Sequence, residues 1–213
     1  MEYSDSIIDI REQYPLLPIE ETLLIAKELG IKHPRDPRTQ EPVVMTTDFI
    51  VSVLKDGQHV DVARTLKYKD DLVNERLLEK FEIERVYWER QGVNWGIVTE
   101  NEVPKTIATN IAFVHGYADL SYIEDFQDIK ESELDEFSVY LIGNLLSEEM
   151  TVRECAQQIE MVYGLSAGCG LTLFKHLIIT KAIEINLKDK LDVNQIISIK
   201  AVRTDFSEKV TAI

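Results

Sequence analysis

Apolar positions recur along the chain with two periods. In Ser6–Tyr14, apolar residues at 7, 8 and 10 predict a strand, which Pro15 and Pro18 break. Leu23, Leu24, Ala26 and Leu29 predict a short amphipathic helix that opens near Pro18 and stops at Gly30. The segment Glu41–Lys67 alternates instead, and Asp56-Gly57 divides it, so it predicts a β-hairpin. With the turn centred there, Asp48 falls opposite Thr65 and Thr46 opposite Lys67. Thr46, Asp48, Ile50, Ser52, Thr65 and Lys67 are then expected on one face. Met45, Phe49, Val51 and Val53 are expected on an apolar face with Val60, Val62 and Leu66.

A helical stripe follows. Val73, Leu77, Phe81 and Trp88, widened by Leu78, Ile83 and Tyr87, predict a long helix from a cap at Asp70 or Asp71 to about Arg90, ended by Gly92. Glu79, Glu82, Glu84 and Glu89, interleaved with Lys80, Arg85 and Arg90, are expected on its solvated side. Trp95–Thr99 then predicts a short strand. Strand, hairpin, helix and strand in this order point to a mixed sheet flanked by helices.

Asn101–Pro104 predicts a boundary, giving domains over 1–104 and 105–213. In the second, helices are expected at Thr106–Val114, Tyr122–Ile129 and Glu133–Leu146. A further helix should open at Thr151 with Glu154 completing a capping box, and end at Gly164. Cys169–Ala182 is the next helical segment. The strings AIEINL and QIISIKAV predict two short strands around Lys188-Asp189-Lys190. Helix, turn, helix and ribbon is the order of a winged helix, and equally of another small α+β interaction domain. The fold class is therefore α/β (α+β).

Composition narrows the functional classes. A chain of 213 residues can bury roughly 70% of its unfolded surface. No run of 18 apolar residues exists, so no membrane span is expected. Cys155 and Cys169 lack CxxC or paired-histidine spacing and read as reduced cytosolic thiols. The net charge is −15, concentrated in Asp119–Glu160, where twelve acids face only Lys130 and Arg153. So acidic a chain is not expected to grip DNA strongly alone, although it can act on DNA that a partner presents.

No GxSxG motif, histidine–cysteine pair or phosphate-cradling glycine loop is present. The concentrated chemistry is Asp48 with Lys67, diagonal neighbours roughly 7–8 Å apart at the backbone. Two readings stand: a solvated ion pair on a surface hairpin, or a site that binds a divalent cation and steadies charge on a phosphate. An acid on one strand and x-Lys on the next is the layout of the PD-(D/E)xK nucleases. The loop Ile31–Pro42 carries His33, Arg35 and Arg38, either as phosphate contacts or as a solvated connector.

Longer strings sharpen this. SIIDIREQYPLLP, IKHP, VVMTTDFIV, NERLLEKFEIERVYW and WGIVTE together resemble TnsA, the endonuclease subunit of heteromeric cut-and-paste transposases. The resemblance implies a restriction-endonuclease-like first domain and a winged-helix-like second domain that contacts a TnsC-like ATP-dependent regulator. It implies metal-dependent cleavage at the 5′ ends of transposon DNA, with magnesium or manganese as cofactor. A TnsB-like transposase would cut and join the 3′ ends, in the bacterial cytoplasm. Carried over, Asp48 is the metal-binding acid and Lys67 the catalytic lysine. Thr65 stands two before the lysine, where the family often has Gln; Leu66 shares the metal with Asp48, and His33, Arg35 and Lys69 are candidate DNA contacts. The family has a further catalytic Glu on a helix before the segment matching Glu2-Tyr3, so that member is expected to be missing here. The alternative is a cleavage-impaired subunit that bridges the transposase and its regulator.

Overall fold

Asp56 and Gly57 take φ of 51° and 77°, the left-handed pair that a tight hairpin turn needs. The computed structural model describes residues 3–211. The turn joins β2 (Thr46–Lys55) to β3 (Gln58–Leu66), which pair antiparallel from Lys55–Gln58 to Phe49–Arg64, in the expected register. β1 (Ile7–Pro15) adds antiparallel to β2, and β4 (Asn94–Val98) adds parallel to β3. The result is a four-stranded mixed sheet in the order β1-β2-β3-β4. Parallel strands need a crossover, and the connection between β3 and β4 carries α2 (Glu75–Arg90).

α1 (Ile19–Leu29) ends where Gly30 turns left-handed at φ 69°. α2 begins later than the sequence suggests. Asp70 and Asp71 lie in a 3-10 turn, Lys69–Val73, and the cap is Asn74, whose side chain accepts the Leu77 N–H at 3.2 Å. The delay comes from contacts distant in sequence. Lys67 N–H donates to the Val98 carbonyl at 3.1 Å and Lys69 N–H to Glu100 Oε2 at 3.0 Å, so the backbone stays tied to the β4 side of the sheet.

Residues up to Val103 form one unit and residues from Pro104 a second. The first unit's core joins Leu16, Ile25 and Ala26 to Ile50 and Ala63 of the sheet and to Ile83, Tyr87 and Trp88 of α2. Each such large side chain contributes about 1.5–3 kcal/mol by leaving water. This corrects the expected faces of the hairpin in part: Ile50 lies on the covered face and Val60 and Leu66 are exposed, while Val51 is buried and Met45 packs against the core. Thr47 donates to Glu84 of α2 and Ile50, three residues on, packs against Ile83, Tyr87 and Trp88 of the same helix, so strict alternation fails between them, next to Asp48. The sequence pattern assumes an unbroken pleat and cannot register that slip.

The second unit contains α3 (Lys105–His115), α4 (Glu131–Leu146), α5 (Val152–Tyr163), α6 (Cys169–Ile179), β5 (Ile183–Ile185), β6 (Ile199–Val202) and α7 (Thr204–Thr211). Its core is built on Leu141, Ile142, Ile159, Leu173, Phe174 and Ile178. The Thr151–Glu154 capping box forms, with Thr151 N–H donating to Glu154 Oε2 at 2.8 Å and Glu154 N–H to Thr151 Oγ1 at 3.2 Å. The helix expected over Tyr122–Ile129 is instead two 3-10 turns, Leu120–Tyr122 and Glu124–Phe126, the first held by Asp119 accepting the Ser121 N–H. α7 was not expected; Arg203 and Asp205 pair at its start at 2.8 Å. Among the described residues no helix is long and apolar enough to cross a membrane.

Candidate active site

β2 and β3 part company after Phe49–Arg64, and Asp48 sits at the split. Its carboxylate takes over part of the missing ladder: Oδ2 accepts the Leu66 N–H at 2.7 Å, and Oδ1 accepts Gln13 Nε2 at 3.1 Å. Gln13 is itself held in a left-handed conformation, φ 48°, and its Oε1 accepts from the Thr46 hydroxyl at 3.3 Å. One side chain thus ties three strands together. A carboxylate oxygen offers about two acceptor positions, so each Asp48 oxygen keeps one free.

Lys67 leaves the sheet just beyond β3. Its ammonium lies 3.8 Å from Asp71, an exposed pair of the kind that contributes little. Asp48 is not its ion-pair partner. The plain ion-pair reading of the hairpin therefore fails: the two side chains face one cleft without neutralising each other. That cleft, about 330 Å³, is lined by Asp48 and Lys67 with Thr46, Thr65, Lys80 and Glu84 among its walls.

Glu84 is the residue that sequence reasoning misplaced. It was expected on the solvated side of α2 but is only 3% exposed. Its Oε1 accepts three donors: Thr65 Oγ1 at 2.5 Å, Thr47 Oγ1 at 2.6 Å and Trp95 Nε1 at 2.9 Å. Trp88 Nε1 donates onward to Thr47 Oγ1 at 2.7 Å. Among the described residues Oε2 accepts none, while the residue lines the cleft. Burial raises the Glu84 pKa above its ordinary value, the three donors oppose that rise, and the nearby Asp48 charge adds to it. A signal was there to read: Glu84 lies three residues after Phe81 and four before Trp88, on the apolar stripe itself.

The other expected site residues are distributed as follows. Thr65 is buried, and its hydroxyl is committed to Glu84, leaving that hydroxyl turned into the core. Leu66 offers a cation only its backbone carbonyl, since its side chain is a hydrocarbon. His33 is buried, which corrects its placing as a surface contact. Burial lowers its pKa; Nδ1–H donates to the Pro34 carbonyl at 2.9 Å, and Nε2 lies 3.0 Å from Thr22 Oγ1. Arg35 is exposed, but its guanidinium donates to the Gln40 carbonyl at 2.6 Å and closes its own loop. Lys69 is exposed and is absent from the lining of the cleft. Glu2 lies outside the described residues.

Among the described residues no group of three His, Cys, Asp or Glu side chains is arranged to hold a metal. Asp48, with its free acceptor positions, lines the cleft with Leu66, whose backbone carbonyl is its one oxygen, and with a second carboxylate residue, Glu84. Magnesium keeps several waters and needs only one or two carboxylates plus substrate phosphate, so this set fits a hard cation in kind.

Comparison with known proteins agrees with this architecture. The family described as TnsA-like endonuclease N terminal matches residues 4–100. The family described as TnsA endonuclease C terminal matches residues 102–187. The transposon Tn7 transposition protein TnsA of Escherichia coli is 32% identical over 198 residues, spanning 92% of this chain and 67% of that protein.

Proposed function

The chain belongs to the TnsA endonuclease family, and from that premise we propose that it is the subunit that cuts transposon DNA at the 5′ ends, by metal-dependent hydrolysis of a phosphodiester. The observation that carries the reading is Asp48 and Lys67 lining one cleft without pairing to each other. Asp48, fixed by Leu66 N–H and Gln13, would hold the cation with the Leu66 carbonyl. A bound magnesium or manganese ion would supply Lewis acidity and a more acidic water. Lys67, free of Asp48, would set its ammonium against the charge that develops on the phosphate. Thr65 and Glu84 would act behind these groups, fixing β3 to α2 so that Leu66 and Lys67 keep their place.

By the same family membership, DNA would be delivered by a TnsB-like transposase. The second unit, with its α5–turn–α6 and β5–β6 ribbon in the order of a winged helix, would meet a TnsC-like regulator. A second reading, a bridging subunit impaired in cleavage, is favoured by one observation: the Thr65 hydroxyl, in the position where the family often has Gln, is committed to Glu84.

The test assembles the full chain with its transposase on end DNA in Mg²⁺. Cuts at the 5′ strands are expected, lost on chelation and lowered at least ~100-fold by Asp48→Ala or Lys67→Ala. Complete assembly with no 5′ cut under any condition would select the bridging reading. Cuts indifferent to both substitutions would remove Asp48 and Lys67 from the site.

A further inference from the structure

The mechanism above leaves one cation of the cleft without a task. Lys80 projects from α2 one turn before Glu84 and lines the same cleft as Asp48 and Lys67. It also lines the adjoining cavity of about 230 Å³, to which Lys67 again contributes. These two lysines are thus common to both spaces.

The other cations of α2 near it, and Lys67, are engaged. Arg76 pairs with Glu79 at 2.6 Å, Arg85 with Glu82 and Glu89 at 2.8 and 3.0 Å, and Lys67 lies 3.8 Å from Asp71. Lys80 is half-buried, and among the described residues it has neither an ion pair nor a hydrogen bond. Glu84, a helical turn away, is the obvious carboxylate, yet it makes no ion pair with Lys80 and turns Oε1 toward Thr47, Thr65 and Trp95. An ammonium with no protein acceptor keeps its three donors open to an anionic group entering the cleft. The acidity of the chain makes this more telling, since acids outnumber bases 38 to 23 and still none is set against Lys80.

We propose that Lys80 is a substrate-binding residue that holds a backbone phosphate of the cleaved strand, adjacent to the phosphate attended by Asp48 and Lys67. Two cations lining one cleft grip two points of a strand and fix which phosphate meets Asp48. The proposal rests on the endonuclease reading for its substrate, but its test does not require cleavage.

The test measures recruitment of the full chain to transposase-bound end DNA in Ca²⁺. The DNA carries a single neutral methylphosphonate linkage, moved one position at a time along the 5′-cleaved strand. For the wild-type chain, one linkage next to the cleavage position is expected to weaken recruitment about tenfold, the size of a lost charge-assisted hydrogen bond. Lys80→Gln should weaken recruitment to natural DNA by a similar factor and be indifferent to that same linkage; Lys80→Arg should restore the sensitivity. Such non-additivity reports a direct contact, which a merely structural role would not produce. Losses that add at every position would overturn the proposal, as would Lys80→Gln recruitment equal to wild type. An Asp48→Ala arm in Mg²⁺ separates the two readings: unchanged cleavage there would sink the endonuclease site while leaving the Lys80 result to be judged on recruitment alone.

Discussion

Glu84 carries the most consequential chemistry at the residue scale. A carboxyl that is 3% exposed and held by Thr47, Thr65 and Trp95 binds its proton more tightly folded than unfolded. Its folded pKa is raised above the ordinary 4.5, so its contribution to stability is best below that value. That contribution is lost as pH rises from the unfolded pKa to the folded one, and is level above. Glu84→Gln keeps an acceptor for the three donors and cannot ionise. The variant should therefore gain on the wild type between pH 4 and neutrality. Urea midpoints of both proteins across that range check this, and a gap that stays constant with pH would refute it. Asp48 and Lys67 were legible because a single Asp-Gly turn fixes the register of both strands. Glu84 was not, because a string of alternating charges hid its place on the apolar stripe. The Thr65 hydroxyl was unreadable for the same reason, since its partner was assigned to solvent.

At the scale of elements, the sequence was most informative where one local signal decides the geometry. The hairpin turn, the Gly30 and Gly164 ends and the Thr151–Glu154 box follow from backbone chemistry and are all present. It was least informative where a contact distant in sequence decides. The tie from Lys67 and Lys69 to the β4 side pushes the start of α2 back to Asn74. Asn74→Ala should accordingly cost about 1 kcal/mol of stability, whereas Asp70→Ala, outside the cap, should cost nothing measurable in the same denaturation series. In the second unit the α5–α6 contact is the tightest constraint. A Cβ on Gly170 would run into the Ala156 carbonyl oxygen, a backbone atom that cannot swing aside. Glu160 Oε1 reinforces the same junction by accepting the Gly168 and Gly170 N–H groups at 2.8 and 2.9 Å. Gly170→Ala should destabilise that unit by at least ~1–3 kcal/mol, visible as a lower melting temperature. An unchanged melting curve would mean that the two helices do not pack this closely.

The charge of the whole molecule bears on how a nuclease site could be kept from acting unaided. The chain carries −15, with twelve acids between Asp119 and Glu160 in a segment that includes α4 and most of α5. A duplex approaching this protein meets a net charge of −15, which opposes phosphate contacts. The cations lining the cleft, Lys67 and Lys80, are few beside that net charge. Affinity for DNA should then come from the company the chain keeps. Alone, at physiological salt, it should bind end DNA no more tightly than ordinary non-specific binding, with Kd in the range of roughly 10⁻⁴ to 10⁻⁶ M. With the transposase on the DNA, the same chain should be retained far more tightly. Fluorescence anisotropy of labelled end DNA, titrated with the chain at several salt concentrations with and without the transposase, tests this. Nanomolar binding by the chain alone, with a steep dependence on salt, would show a basic surface that the charge distribution does not contain.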